Sequence, residues 1–363
     1  MFSDRGKRRG ADGAGRAGPA RALGKSLSRT DRRHPAVPPP PPSTTWGAGR
    51  QVRSDSFRGP RRRHEHMIRR LLRYGSKPSY IAGCPELAYF NMAQTRQMAY
   101  DRLLERLYSV DDGWVVKGAT ALLARGIGVR ATVNVDVYRA AERALVEEDL
   151  RKAAALDLGD WFRFELGPPQ TLSDEAGGIR YPVNAYIGPT IWTSFHVDVV
   201  GSGLRMTGEP EDVPPLARVL MPDVEQHGYK AYPIVDHIAD KVCAIFEVHG
   251  STGMPSTRYK DLVDLVAASL EVAVDAKKQL TALTSEAERR GLRLPRHFAA
   301  PDRSLWEPGY AAEARRSLLD VGQTLDEAVE IVGRFLDPLL DGTAVGGWGP
   351  RTQRWVIEES GRA

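Results

Sequence analysis

A carboxylate and an amide alternate with valines in the segment ATVNVDVY, residues 131–138. Side chains two positions apart on a strand share one face, with Cα atoms about 6.6–6.8 Å apart. Asn134 and Asp136 therefore point the same way and could converge on one metal ion, or flank two ions about 3.5–4 Å apart. An ordinary strand with its polar face in water would show the same alternation, so the pattern leaves both interpretations open.

A second strand-like segment, SFHVDVV, places Asp198 on one face with Ser194 and His196. Asp198 is a candidate third carboxylate for the same metal site. A buried aspartate that caps a turn is the alternative explanation for this position.

A turn between a predicted strand and a predicted helix contains Lys117-Gly118-Ala119-Thr120. Backbone N–H groups at the start of a helix attract anions such as phosphate. Gly118 would let a ligand approach closely, and Thr120 could supply a hydroxyl. The simpler alternative is that Gly118 serves the turn and Thr120 caps the helix.

Two amphipathic helical segments carry further charged residues. HIADKVCA contains Asp240 and Lys241, and RYKDLVDL places Arg258 and Asp261 on one helix side with either Asp264 or Leu265. A solvated helix face or a packing salt bridge also produces such a pattern. Beside a metal-type strand and a phosphate-type turn, Lys241 and Arg258 become candidate clamps for a triphosphate.

The elements that must position these residues change character along the chain. Strands interleave with helices and then form hairpins, with Gly177-Gly178 as a predicted turn, up to about residue 230. Beyond Pro233 the periodicity is helical. We predict an α+β protein with a mixed-sheet domain over residues 67–232 and a helical C-terminal domain over 233–363.

The first 66 residues have a different composition, rich in Gly, Pro, Arg and Ser and without apolar periodicity. Such a segment cannot bury enough apolar surface to offset its ordering entropy, so we predict a disordered basic tail over 1–66. Residues 1–70 hold 18 Lys and Arg against five Asp and Glu, a net of +13, and the chain total of +5 leaves −8 for residues 71–363. The basic character belongs to the tail and does not indicate a basic groove on the folded part.

Cysteine content and hydropathy indicate the compartment. Two cysteines, far apart, form neither a disulfide framework nor a zinc site by themselves. No apolar run approaches the ~20 residues needed to span a bilayer. We expect a soluble, cytoplasmic protein that uses no membrane partner.

The order of the segments KGATAL, RATVNVD, FHVDV, HIADKVCA and RYKDLVDL resembles that of the AbiEii/AbiGii toxin family of nucleotidyltransferases. This family belongs to the DNA polymerase β-like nucleotidyltransferase superfamily and to type IV toxin-antitoxin and abortive-infection systems. The resemblance runs from about Met98 to Trp355. It implies that the sheet domain is the nucleotidyltransferase domain.

The resemblance also implies positions for the family motifs, with two departures. The glycine-glycine-serine/threonine motif falls on Gly118-Ala119-Thr120, so alanine replaces the second glycine. In the arginine-x-threonine-x-aspartate-x-aspartate segment, Asn134 replaces the first carboxylate. The remaining matches are Arg130, Thr132 and Asp136 in that segment, Lys241 in the lysine motif, and Arg258, Lys260 and Asp261 in the arginine-x-lysine-aspartate helix, with Asp264 the less favoured catalytic candidate.

The function implied by the resemblance is transfer of a nucleotide from an NTP to an RNA acceptor, typically tRNA, with Mg²⁺ or Mn²⁺, under control of an antitoxin protein. The implied metal ligands are Asn134, Asp136 and Asp198. The implied catalytic residues are Asp136, Lys241 and Asp261, and the implied nucleotide-binding residues are Gly118, Thr120, Lys241 and Arg258.

Asn134 leaves several outcomes open. An asparagine carbonyl can ligate a metal, but it carries no negative charge and accepts no proton, so one metal should be held more weakly. The chain could be a slow enzyme, or Asp198 or Asp240 could supply the missing charge. Alternatively, it is a catalytically impaired module that binds a nucleotide, an RNA or an antitoxin.

Overall fold

The computed structural model describes residues 85–357, apart from 129, 131, 173–177, 201–202, 218–223 and 250–252. The predicted tail and Gly177 lie outside the described residues. The helices are α1 (Pro85–Val110), α2 (Gly118–Ala124), α3 (Arg143–Ala155), α4 (Ile234–Phe246), α5 (Tyr259–Glu271), α6 (Ala276–Arg289), α7 (Arg303–Ala314) and α8 (Leu325–Leu340). The strands are β1 (Trp114–Lys117), β2 (Asn134–Arg139), β3 (Phe162–Leu166), β4 (Gln170–Thr171), β5 (Ile179–Ile187), β6 (Thr190–Val200), β7 (Glu211–Val213), β8 (Tyr229–Ala231), β9 (Val248–His249), β10 (Met254–Pro255), β11 (Gly347–Gly349) and β12 (Arg354–Val356).

Strands β1 to β8 form one mixed sheet in the order β3-β5-β6-β2-β1-β8-β7, with β4 also paired to β5. The pairs β2–β6 and β1–β8 are parallel, and the other pairs are antiparallel. The predicted α+β class with a mixed sheet is confirmed. The central strands β6 and β2 carry Asp198, Asn134 and Asp136.

One face of this sheet packs against α1 and α3. Along β5 burial alternates strictly, as expected for a strand with one face on a core. Leu103, Leu104 and Leu107 of α1 are fully buried, and the ring of Tyr100 meets Phe195 of β6 edge-on at 4.8 Å. The polar side chains of β2 and β6 therefore lie on the opposite face.

The helices after β8 enclose a second apolar core, which includes Leu265 of α5, Trp306 of α7 and Phe335 of α8. A capping box between Thr324 and Glu327 starts α8, an arrangement that stabilises a helix by about 1 kcal/mol. In the described part of the chain, no helix is long and apolar enough to cross a membrane.

Helix α2 connects the two cores. Ala121 and Ala124 pack in the sheet core, whereas Leu122 and the following Ile127 pack in the helical core. The sheet half and the helical half lie in one compact unit. The change of character near residue 232 is present, but a division into separate domains at that point stays a prediction.

Candidate active site

Four charged side chains form a row across neighbouring strands at the centre of the sheet. In the strand register, Arg180 of β5 pairs with Asp198 of β6, Asp198 pairs with Asp136 of β2, and Asp136 pairs with Lys117 of β1. Paired residues on adjacent strands share one face, and the strands are about 4.8 Å apart. We call these four residues the charged row; its two carboxylates are neighbours, with a cation at each end.

Asp198 is neutralised by its neighbours. Arg180 donates from Nε to Oδ1 and from Nη2 to Oδ2, each at 2.7 Å. Asn134 donates from Nδ2 to Oδ2 at 3.0 Å. A bidentate guanidinium pair is among the strongest hydrogen-bonding arrangements in proteins. Both carboxylate oxygens of Asp198 are therefore already engaged.

Asp136 has the opposite surroundings. Within the described residues, no side chain or backbone group donates a hydrogen bond to its carboxylate. Burial and the neighbouring Asp198 raise the pKa of Asp136 to about 6, although Lys117, Lys241 and Arg130 act against this rise. The side chain of Asp136 is partly buried, and a carboxylate withdrawn from water without a donor is energetically unfavourable. Asp136 is the member of the row that a bound cation would stabilise.

Gly118 lies directly against Asp136. Its φ is +60°, and a Cβ at this position would lie 1.9 Å from Oδ2 of Asp136. Glycine is required both for the backbone conformation and for the space beside the carboxylate. The group that lies against Gly118 is Asp136, and the predicted close approach of a ligand stays a prediction.

Thr120 does not occupy the predicted position. Its side chain is fully buried, and Oγ1 donates to the carbonyl oxygen of Asn134 at 3.1 Å. The hydroxyl therefore fixes α2 to the start of β2 and does not reach the cavity described below. Packing of α2 turns the side chain inward, and the phosphate contact predicted for this hydroxyl from the sequence stays a prediction.

A second charged cluster links α4 and α5. Lys241 donates from Nζ to Oδ1 of Asp261 at 2.9 Å and to Oδ2 of Asp264 at 2.5 Å. Asp264 is fully buried, and its other oxygen lies 3.4 Å from Nε of Arg130. Burial lowers the pKa of Lys241, but Asp261 and Asp264 outweigh burial and raise it. The ammonium group is therefore charged and fixed in place.

These groups surround one cavity of about 940 Å³, a size typical of small-molecule sites. The predicted site residues that line it are Gly118, Asn134, Asp136, Asp198, Lys241, Arg258 and Asp261. Among the predicted site residues only Thr120 is absent from the lining. The structure thus brings together residues from β2, β6, α4 and the start of α5.

Asp240 lies between two cations at the cavity wall. Its carboxylate is 3.6 Å from Nζ of Lys117 and also forms an ion pair with Arg290. Lys117 in turn lies over the ring of Tyr232, 4.3 Å from its centre. Burial raises the pKa of Asp240, but Lys117 and Arg290 outweigh burial and lower it. Asp240 therefore stays ionised. Its charge is balanced by Lys117 and Arg290 and does not replace the negative charge that Asn134 lacks.

Arg258 and Lys260 differ from the other cavity cations. Both side chains are exposed at the wall of the cavity. In the part of the chain that the structure describes, neither has a carboxylate within ion-pair distance. An exposed cation without a counter-ion can pair with an anionic ligand at little desolvation cost.

Three residues at this site were not predicted from the sequence: Arg180, Lys117 as a charged group, and His237. Arg180 alternates with buried residues in IRYPVNAYIG, so its face could have been predicted, but its pairing with Asp198 depends on the register of β5 and β6.

His237 is 2% exposed and lines the cavity with Nδ1 unpaired among the described residues. Burial and the nearby Lys241 lower its pKa well below the usual range, so it is neutral. No sequence signal distinguishes it from a core histidine.

The donors at this site suit a single divalent cation better than a pair. Within the described residues, no group of three or more His, Cys, Asp or Glu side chains is arranged to hold a metal ion. Asp136 offers a carboxylate without a donor, and Asn134 retains its amide oxygen, because its nitrogen faces Asp198. Carboxylate and amide oxygens are the ligands that Mg²⁺ and Mn²⁺ prefer. Asp136 and Asn134 therefore fit one ion, whereas Asp198 already binds a guanidinium.

Comparison with known proteins gives a family match. The family model described as nucleotidyl transferase AbiEii toxin, type IV TA system, matches residues 102–331. This range includes every candidate site residue named above. No curated protein matches the chain.

Solved structures are similar at low sequence identity. The nucleotidyltransferase toxin MenT4 from Mycobacterium tuberculosis is 16% identical, with 75% of this chain and 88% of that chain covered and a TM-score of 0.49. JHP933 from Helicobacter pylori is 14% identical, with 68% and 92% covered and a TM-score of 0.40.

Proposed function

Since the chain belongs to the AbiEii family of nucleotidyltransferase toxins, we propose that it transfers a nucleotide from a nucleoside triphosphate to an RNA acceptor, with tRNA as the acceptor class. The observation that carries the proposal is Asp136, a carboxylate to which no described residue donates, at the wall of a cavity that also exposes Arg258 and Lys260. Phosphoryl and nucleotidyl transfer require this combination of an anionic metal-binding group and cations for the phosphates.

In the proposed reaction, a hydroxyl oxygen of the RNA bonds to the α-phosphorus while the bond from that phosphorus to the pyrophosphate breaks. A divalent cation, Mg²⁺ or Mn²⁺, bound by Asp136 and the amide oxygen of Asn134, would neutralise the triphosphate and make the hydroxyl more acidic. Gly118 leaves room for the carboxylate of Asp136 because it has no side chain, and in this proposal its backbone lies beside the phosphates. Asp198 lies next to Asp136 and is neutralised by Arg180, so the two carboxylates repel each other less.

Lys241 and Arg258 bind the triphosphate and the departing pyrophosphate in this proposal. Asp261 and Asp264 hold Lys241 in one position, which limits the entropy lost when it binds phosphate. Arg258 is exposed and pairs with phosphate directly. Asp261 accepts a hydrogen bond from Lys241 through Oδ1, and its second oxygen, to which no described residue donates, orients the RNA hydroxyl or accepts its proton in this proposal.

The biological role follows from the family. A nucleotide added to tRNA would stop translation, and a cognate antitoxin protein would restrain the toxin. We place this action in the cytoplasm, where tRNA and nucleoside triphosphates meet. No step of the proposed role requires a membrane.

The test is a labelling assay with the full chain, total tRNA, each labelled triphosphate in turn, and Mg²⁺ or Mn²⁺. Wild type is compared with Asn134→Asp, and Asp136→Asn is the blank. We expect wild type to label RNA. Its rate should be lower than that of Asn134→Asp, by up to about 10²–10³-fold, because the amide of Asn134 lacks the negative charge that an aspartate would bring to the site. No label from either protein with any triphosphate would contradict the proposal.

A second candidate function is a nucleotide-binding module without transfer. The contact between Nδ2 of Asn134 and Asp198 favours it, since this interaction stabilises an amide where a carboxylate would be repelled. Triphosphate binding by wild type, with label transferred only after Asn134→Asp, would establish this alternative. Label from wild type above the blank would exclude it.

A further inference from the structure

We propose that Arg180 acts as a built-in cation at Asp198, so that this site takes one divalent metal ion instead of two. The inference deepens the proposed function and rests on it, because it concerns the metal content of the same site. It assigns Arg180 the role of a positioning residue, which acts through Asp198 and does not touch the substrate.

The geometry of the Arg180–Asp198 pair supports this assignment. Arg180 and Asp198 are register partners on β5 and β6, so the strands themselves bring the two side chains together. Two hydrogen bonds of 2.7 Å join them, and their side chains are 31% and 10% exposed. A guanidinium is permanently charged and matches the planar fork of a carboxylate. A metal ion at Asp198 would have to displace this group or lie beside a second positive charge.

The net charge of Asp136, Asp198 and Arg180 also favours a single ion. Asp136 and Asp198 carry two negative charges, and Arg180 removes one, so this part of the site has a formal net charge of −1 with Asn134 neutral. With an aspartate at 134 and no arginine at 180, the same positions would carry three negative charges. Divalent ions bind more tightly as the number of charged ligands rises. The charge present suits one divalent ion that also contacts the triphosphate.

The two carboxylates also differ in the number of hydrogen bonds that they accept. Asp198 accepts three hydrogen bonds from Arg180 and Asn134, whereas Asp136, one strand away, accepts none from the described residues. Lys117 at the other end of the charged row is turned toward Asp240 and Tyr232. The protein therefore supplies a counter-ion to one carboxylate and leaves the other for a ligand.

The experiment counts bound Mn²⁺ by electron paramagnetic resonance on the full chain, with and without a non-hydrolysable triphosphate analogue. We expect one Mn²⁺ per wild-type chain and a second ion in Arg180→Gln, which frees Asp198. The double variant Arg180→Gln/Asp198→Asn keeps the net charge of wild type, and it should bind one ion with an affinity within about threefold of wild type. Arg163→Gln, which removes an exposed arginine of β3, is the matched control and should bind one ion.

Two Mn²⁺ ions in wild type, or none, would overturn the inference. A count of one in folded Arg180→Gln would also overturn it. If Arg180→Gln fails to fold, the double variant decides, because a tenfold or greater loss of affinity there would show that Asp198 ligates the ion. If the ion counts agree with expectation but no label reaches RNA, the proposed function fails and the assignment of Arg180 stands.

Discussion

Two arginine–carboxylate clusters lie on opposite sides of the same sheet. In the sealed cluster, Asp160 accepts hydrogen bonds from Arg102 and Arg106 of α1 and from the backbone of Phe162. Every N–H of the Arg106 guanidinium donates a hydrogen bond. In the charged row, Arg180 satisfies Asp198, whereas no residue that the structure describes donates to Asp136.

The difference shows how the same chemistry serves two purposes. Burial raises the pKa of Asp160, but hydrogen bonds from Arg106 and Arg102 outweigh burial and lower it. The pKa of Asp136 is raised instead. A cluster whose donors and acceptors all find partners inside the protein stabilises the fold. A cluster with one unsatisfied carboxylate at a cavity is arranged for a ligand.

The largest effect should come from breaking the sealed cluster. Asp160→Asn leaves two buried guanidinium groups without a counter-charge, and loss of one partner of a buried pair costs about 3–5 kcal/mol. Urea unfolding measures this loss. Asp136→Asn, the same substitution in the charged row, should destabilise far less. Equal destabilisation by the two variants would refute the distinction between the clusters.

The next largest effect should appear in activity. Asp136→Asn should lower nucleotide transfer by about 10²–10³-fold, or about 2.7–4 kcal/mol, as loss of a single electrostatic group does in other enzymes. Its free energy of unfolding should match or exceed that of wild type, since a partly buried charge to which no described residue donates is removed. Transfer rates and urea unfolding on one preparation separate the two effects. Unchanged transfer would remove Asp136 from the proposed mechanism.

A smaller effect is expected at the cavity wall. Arg258→Ala should raise the KM for the triphosphate by roughly 10–100-fold, because a charge-assisted hydrogen bond contributes about 1.5–3 kcal/mol. Arg258→Lys should recover part of this loss. Arg163→Ala, an exposed arginine away from the cavity, is the control and should leave KM unchanged. An unchanged KM in Arg258→Ala would show that this side chain does not contact phosphate.

The smallest expected effect is a pH dependence of the free energy of unfolding. It comes from a third carboxylate, Asp101, which can be compared with Asp160 and Asp136. Asp101 accepts hydrogen bonds from Tyr229 and from the backbone of Leu216 and Ala217. It forms no ion pair with any described residue, and burial raises its pKa to about 6. The folded state therefore binds the proton more tightly than the unfolded state. Stability from this group is complete below about pH 4 and falls as pH rises through 6, by at most about 1.4 kcal/mol per pH unit.

Urea unfolding between pH 4.5 and 7.5 tests this dependence. Asp101→Asn should remove the slope that Asp101 contributes. Asp160→Asn should leave the slope in this window as it is, because the pKa of Asp160 lies below its ordinary value. The pKa of Asp136 is also raised to about 6, so Asp136 contributes to the slope in the same window and Asp101→Asn is compared in the Asp136→Asn background. A slope that Asp101→Asn leaves unchanged in that background would assign the pH dependence to another group.

Local patterns were sufficient to predict the strands that carry Asn134, Asp136 and Asp198. Strand alternation placed Asn134 and Asp136 on one face of the first strand and Asp198 on the polar face of the second. The pairing between these strands joins residues 62 positions apart in sequence, such as Asp136 and Asp198. It depends on the parallel register of β2 and β6, which no local pattern specifies. The neighbouring positions of Asp136 and Asp198 therefore required the structure.

The side-chain positions at Thr120 and at Asp264 and Leu265 could not be predicted from the sequence, for one common reason. Thr120 carries the residue type of a phosphate ligand, but packing of α2 against β2 determines that its hydroxyl is buried. The helical pattern could not choose between Asp264 and Leu265. In the structure Asp264 binds Lys241, and Leu265 packs in the apolar core. Both outcomes depend on contacts between elements that are distant in the chain.

The contact between Gly118 and Asp136 also has a genetic consequence. Every amino-acid change that a single base substitution can make in a glycine codon adds a side chain, and any side chain here would meet Oδ2 of Asp136. Such a change strains one residue with positive φ, at about 1–2 kcal/mol, and leaves both apolar cores intact. Survivors selected against the toxicity of this gene should therefore include folded, full-length proteins altered at codon 118.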